Sequence, residues 1–183
     1  MLENSVIEHC APTLAGIKSG NLFRYRFTTK EDVLRELEKI NSELNVRGVY
    51  LEVVRWEEEA MLIYTFRNCH LVRELRQDGV LELLGEYGYP DGEVKNCLEH
   101  LKKRLCQYDS FPHEIGVFLG YPLEDVKGFI SHKGKECKYS GLWKVYSNEL
   151  ETRKLFEKIK KCTLIYSEMF ANGRSISQMT VKK

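Results

Sequence analysis

The chain is predicted to be an α+β protein: a small, partly antiparallel sheet of about four strands with helices packed on it. Three observations lead there. The segments "VYLEVVRW" (Val49–Trp56) and "AMLIYTF" (Ala60–Phe66) are rich in β-branched and aromatic residues and are separated by the acidic run Glu57–Glu59, which reads as a hairpin with a solvated turn. Val94, Leu98, Leu101, Leu105 and Tyr108 recur at alternating spacings of four and three, the period of an amphipathic helix. With 183 residues, 43% of them apolar and 30% charged, the chain has material for a real core, and 1–183 is expected to form a single domain.

The elements follow in order. Met1–His9 is predicted as a short helix, and "CAPTLAGIKSGN" follows with Pro12, Gly16, Gly20 and Asn21 as punctuation. Leu22–Phe27, "LFRYRF", alternates aromatic and basic residues, so a strand would put Phe23, Tyr25 and Phe27 on one face and Arg24 and Arg26 on the other. Thr29 opens a helix with the apolar stripe Val33, Leu34, Leu37, Ile40 and Leu44, closed by Gly48. After the hairpin, Asn68 caps a helix running to about Leu84 with a break at Gly79, and Asp91 caps the next. A polar loop over Ser131–Gly141 leads to a short strand, "LWKVY" (Leu142–Tyr146). A long helix spans Asn148–Phe170 with Leu155, Ile159, Cys162 and Tyr166 as its seam; Gly173 stops it and Ser175 starts a final short helix.

Composition excludes several functions. Lys+Arg is 28 against 27 Asp+Glu, a net charge of +1, which argues against a dedicated nucleic-acid binder. "HLKKRL" and "EKIKKC" are basic, but their interleaved apolar residues mark solvated helix faces. No run approaches the ~18 apolar residues of a membrane span, and the N-terminus lacks the pattern of a signal peptide. The six cysteines are widely spaced in a chain of this length, so reduced thiols and a cytoplasmic location are expected.

The most specified stretch is "FPHEIGVFLGYPLEDVKGF", Phe111–Phe129. Pro112 suits the first turn of a helix, with Ser110 as a nearby cap. Gly120 suits a left-handed stop, and Pro122 starts a second helix. Gly116 within the first helix costs ~0.5–1 kcal/mol relative to alanine, so a close approach, by packing or by a ligand, is expected to offset it. His113 and Glu114 are adjacent and so diverge by ~100° on a helix, which sets them badly for joint metal chelation. In the first turn Glu114 suits the dipole and His113 would be held neutral.

Three segments, "HCAPTLAGIKSGNLF", "FPHEIGVFLGYPLEDVKGF" and "GLWKVY", resemble in the same order the signature blocks of an uncharacterised bacterial family known as domain of unknown function 3793. The family carries no established activity. The resemblance implies that a shared site would draw on His9, Cys10, Lys18, Asn21, His113, Glu114, Tyr121, Trp143, Lys144 and Tyr146.

Three chemistries suit these residues. Cys10, just before Pro12, would have a lowered pKa if Pro12 starts a helix, with His9 or His113 as its base; the plainer reading is a small buried hydrophobe. Lys18, Ser19, Gly20 and Asn21, leading to Arg24 and Arg26, could meet an anion, although the segment is not a Walker loop and the arginines could simply face water. Cys97 with His100, His132 with Cys137, and Cys69 with His70 are near in sequence, but none has paired CxxC spacing and no metal ligand is assigned. The expected function is binding of a small anionic ligand or cofactor where the three segments meet. Cys10, His113 and Glu114 are its catalytic candidates, and Lys18, Asn21, Arg24, Tyr121, Trp143 and Lys144 its binding candidates. The alternatives are a non-enzymatic interaction module using the Gly116/Gly120 helix, including a homo-oligomer, and a metal or haem handling protein. Whether there is a reaction, and which cofactor, the sequence leaves open.

Overall fold

A computed structural model describes residues 1–90, 92–107 and 111–182. Asp91 and Ser110, read as caps, and Tyr108, read as an apolar helix position, lie outside them. The fold is α+β, as expected, and divides into two compact units, Met1–Leu71 with Lys161–Lys183, and Val72–Lys160. Among the described residues no helix is long and apolar enough to cross a membrane.

The first unit is built on three antiparallel strands, β1 (Gly20–Arg26), β2 (Val49–Trp56) and β3 (Ala60–Arg67), in the order β1–β3–β2. The hairpin expected from "VYLEVVRW" and "AMLIYTF" is β2–β3, and β3, the central strand, is buried along its whole length. Phe23 and Val53 both pair with Ile63, so these three side chains share a face. Helices α1 (Leu2–Leu14) and α2 (Lys30–Leu44) add Val6, Cys10, Leu14, Leu37, Ile40 and Leu44 to the core on that face. Leu34, expected on the α2 stripe, is exposed instead; the buried face takes Val33, Leu37, Ile40 and Leu44. Arg24 and Arg26 are exposed, on the face the alternation predicts. At the free edge of β2, the Asn41 side-chain amide exchanges two hydrogen bonds of 2.9 Å with the backbone of Leu51, which covers an edge that would otherwise be open to pairing.

The first helix corrects one expectation. It runs to Leu14 with Pro12 inside it rather than ending at His9. Proline forfeits a single ladder bond, to the Glu8 carbonyl, in the last turn. The helix ends where Ile17 N–H returns to Pro12 O (2.8 Å) and Gly16 N–H to Thr13 O (3.1 Å).

Arg67, at the end of β3, is fully buried. Its Nε donates to Thr13 O at 2.6 Å, and its Nη2 donates to Leu14 O and to Val181 O, the latter at 2.8 Å. A guanidinium therefore sits on the carbonyl end of α1, where the helix dipole favours positive charge, and also ties in the chain end. Burial pulls its pKa below the ordinary guanidinium value. Arg47 Nη1 donates to Thr180 O (2.9 Å), and Tyr166 OH donates to Met179 O (2.7 Å), so the backbone at Met179 and Thr180 is held as well.

The second unit begins in helix α3 (Asn68–Leu75), which is followed after Gly79 by α4 (Val80–Glu86), the break expected there. Helix α5 (Val94–Gln107) buries Leu98, Leu101 and Leu105, as its spacing predicts. Next come the single turn α6 (Ile115–Phe118), α7 (Leu123–Ser131), and a two-stranded hairpin, β4 (Tyr139–Ser140) and β5 (Lys144–Val145). Among the described residues the expected sheet is thus two antiparallel sheets, of three and two strands; β4 lies in the stretch read as loop, where only two residues pair. Helix α8 (Glu149–Ala171) follows, and α9 (Ile176–Met179) closes the chain with Ser175 and Gln178 as a reciprocal capping box. Phe156, outside the expected seam of α8, is 2% exposed; Ile159 and Cys162 are also buried.

Replacing Arg67 by methionine keeps most of the side-chain volume but removes the charge and its three hydrogen bonds to the carbonyls of Thr13, Leu14 and Val181. Urea unfolding is expected to show a loss of roughly 3 kcal/mol or more; a loss below about 1 kcal/mol would mean that the clamp is dispensable.

Candidate functional site

A cavity of about 500 Å³ lies in the second unit. Phe111, His113, Ile115, Gly116, Leu119 and Tyr121 line it from the first part of the specified stretch. Asp125, Val126 and Phe129 line it from α7, and Ser140, Gly141, Trp143 and Lys144 from the hairpin. Two of the three signature segments therefore build it, and the first contributes none of its lining.

The geometry explains the local sequence. Ile115 N–H bonds to Pro112 O (3.2 Å) and Gly116 N–H to His113 O (3.3 Å), so the turn does open at Pro112. At its end Gly120 has φ +71°, with Gly120 N–H on Val117 O (3.0 Å) and Tyr121 N–H on Gly116 O (2.9 Å). This is a Schellman closure, and it needs the left-handed residue that glycine supplies. A Cβ on Gly116 would lie 2.7 Å from Val126 Cγ2 and 3.2 Å from Tyr121 Cδ2. The close approach expected at Gly116 is thus packing of α6 on α7 within the unit.

Asp125 organises the far wall. It is 2% exposed, its Oδ2 accepts Trp143 Nε1–H at 2.9 Å, and its Oδ1 accepts the backbone N–H groups of Tyr146 and Ser147 at 2.8 Å each. One carboxylate thus fixes the hairpin to α7 and the indole within the hairpin. Trp143 stacks on Tyr121 (4.4 Å, 21°) and meets Phe156 edge-on (4.4 Å, 87°). Burial raises the Tyr121 pKa, so its hydroxyl stays protonated at neutral pH. Lys144 Nζ donates to the Gly134 carbonyl, which anchors the ammonium at the cavity. The exposed His113 packs its ring edge-on against Phe129 (4.9 Å, 62°).

Glu114 turns the other way, as adjacent positions on a helix should. It is 1% exposed, pairs with Arg104 Nε and accepts a hydrogen bond from Tyr89 OH at 3.2 Å. Its role is to join α5 to α6, and it does not line the cavity.

The first signature segment lies in the first unit. Cys10 is completely buried in the third turn of α1, not at a helix start, and burial pushes its pKa up to about 12 against the smaller opposing pulls of the Thr65 hydroxyl and Lys18. The lowered pKa expected from "CAP" is therefore corrected: the thiol is a protonated core group. Lys18 is 9% exposed and burial lowers its pKa to about 8. Asn21 Oδ1 accepts Thr13 Oγ1–H at 2.7 Å, and Arg24 Nε donates to Glu57 Oε2 at 2.6 Å, a carboxylate shared with Arg55. His9 stacks on Phe23 at 5.2 Å.

Three members of the cysteine and histidine pairs are engaged in structure. His100 Nε2 donates to Tyr87 O (3.0 Å), Cys97 Sγ donates to Pro90 O (3.7 Å) and His132 Nδ1 donates to Gly128 O (2.9 Å). Among the described residues no group of three or more His, Cys, Asp or Glu is placed to hold a metal ion. The six cysteines are free thiols.

Sequence reasoning passed over Asp125. The available signal was its place three residues after Pro122, in the first turn of a helix and beside the apolar Val126. Glu124 shares that turn, so sequence alone does not tell which acid points inward.

The fold and site describe a two-unit α+β protein with a mostly apolar cavity. The chain belongs to the family described as protein of unknown function DUF3793, whose model matches residues 6–180. No curated protein and no solved structure matches the chain.

Thiol labelling at pH 8 is expected to modify Cys69 and Cys106, both exposed, in the native protein and to reach Cys10 only after denaturation. Labelling of native Cys10 at a comparable rate would contradict its burial. The lowered Lys18 pKa has its own consequence: below about 8 the folded state holds an ammonium it has desolvated, a penalty relieved as pH rises toward the ordinary value of 10.5. Relative to a Lys18→Met variant, the wild-type protein should therefore gain stability between pH 8 and 10, measured by urea unfolding. A constant difference would rule this out.

Proposed function

We propose that this protein binds a small anionic molecule in the cavity of the second unit. The observation that carries the reading is a cavity of about 500 Å³, within the range of ligand sites, walled by aromatic rings and holding the Lys144 ammonium. Its polar groups are few, as in binding pockets generally. Asp125 spends its oxygens on three N–H groups, and Tyr121 is kept neutral, so Lys144 and His113 are the groups of the described lining that could offer a positive charge to a ligand. The two segments that build the cavity also carried the resemblance to the family.

Binding accounts for this arrangement better than catalysis does. Glu114 is committed to Arg104, and Cys10 is a protonated core thiol that does not line the cavity. The interaction-module reading drew on Gly116, and its bare backbone is taken up by Val126 and Tyr121.

The test is a titration with 8-anilinonaphthalene-1-sulfonate, an aromatic anion whose fluorescence rises on binding. A saturable single site is expected, weakened about tenfold or more (~1.4 kcal/mol) in a Ser140→Phe variant, which adds a ring to the lining at an exposed position. No saturable site, or one that the variant leaves untouched, would overturn the proposal.

A further inference from the structure

We infer that the ligand is an aromatic monocarboxylate rather than a phosphate-bearing cofactor, with its ring against the Tyr121–Trp143 stack and its carboxylate on Lys144. This rests on the binding role proposed above and names its ligand class. Two observations carry it. The first is charge. The described lining holds the buried carboxylate of Asp125 and the ammonium of Lys144, with no arginine. These fixed charges cancel; the exposed His113 and the Tyr121 phenol, kept protonated by burial, are the other titratable groups on the described lining. A single ammonium is a compact point charge that suits one carboxylate. A phosphate dianion or a nucleotide would meet the repulsion of Asp125 and lack the guanidinium forks or row of backbone N–H groups that hold such groups elsewhere. The second is shape. Phe111, Tyr121, Phe129 and Trp143 present rings to the cavity, and aromatic surfaces favour another ring in offset or edge-on contact. Trp143 is held by Asp125 and flanked by Tyr121 and Phe156, so this wall is built before a ligand arrives.

Lys144 is also well placed to act. Its bond to the Gly134 carbonyl uses one ammonium proton and leaves two. A carboxylate accepting one of them forms a charge-assisted bond next to apolar surface, where such bonds are strongest.

Calorimetric titration of the full-length protein with 2-naphthoate, 2-naphthamide, inorganic phosphate and ATP tests the inference. Naphthoate is expected to bind about tenfold or more tightly than the isosteric amide, the scale of one hydrogen bond to a charged group. A Lys144→Met variant with an unchanged melting temperature should erase that preference while still binding the amide. Phosphate and ATP should not compete. Equal binding of acid and amide, competition by phosphate or ATP, or a preference that survives in the variant would overturn it. Saturable binding of anilinonaphthalene sulfonate without binding of naphthoate would defeat this inference alone; failure of every probe would defeat the binding role as well.

Discussion

Arg67 carries a charge into the interior of the first unit and meets backbone carbonyls there instead of a carboxylate. A buried ion has to be surrounded by hydrogen bonds, because losing its hydration costs several kcal/mol. Thr13, Leu14 and Val181 supply the acceptors, and each belongs to a segment that must come to β3 for the clamp to exist. The end of α1, the end of β3 and the chain terminus are therefore placed together by a single side chain. Thr13 is also bound to Asn21 at the start of β1, which extends the arrangement to the edge of the sheet.

The second unit is organised by the mirror case. Asp125 is a buried carboxylate met by three N–H donors, two from the backbone after β5 and one from Trp143. What the guanidinium does for a helix end, this carboxylate does for a two-stranded hairpin too short to hold itself. It also helps to shape the cavity, since it holds the indole N–H of Trp143, whose ring is packed between Tyr121 and Phe156 in the wall. Close packing at other glycines completes the frame: a Cβ at Gly128 would lie 2.4 Å from Tyr146, and one at Gly141 2.3 Å from Phe156. The residues that make the pocket are thus mostly structural, and the ionisable groups left to act on a ligand are few.

Much of the fold was legible in the sequence because periodicity reports burial directly. The alternation in "LFRYRF" put Phe23 inward and Arg24 outward, the spacing in α5 named its buried leucines, and the Gly120–Pro122 bend was readable from turn chemistry. The misreadings are equally specific. Pro12 suggests a boundary, yet a proline in a last helical turn loses only one bond, so Cys10 does not stand at the helix start that "CAP" implies. Arg67 and Asp125 drew no notice, since a charged residue at the end of a strand or in the first turn of a helix is usually solvated. Of the site residues, His113, Tyr121, Trp143 and Lys144 do line one cavity, whereas Glu114 differs from its neighbour only in which way the turn points it.

The sequence by itself determined the α+β class, most of the elements, and the segments worth suspecting, because these depend on spacings within ten or twenty residues. Tertiary structure alone decided which charges are buried, that the "CAP" segment contributes nothing to the cavity lining, and that Gly116 serves internal packing. Burial and hydrogen-bond partnership are properties of residues brought together from distant parts of the chain. Arg67 and Thr13 are fifty-four positions apart, Arg67 and Val181 more than a hundred, and no local pattern encodes such a meeting.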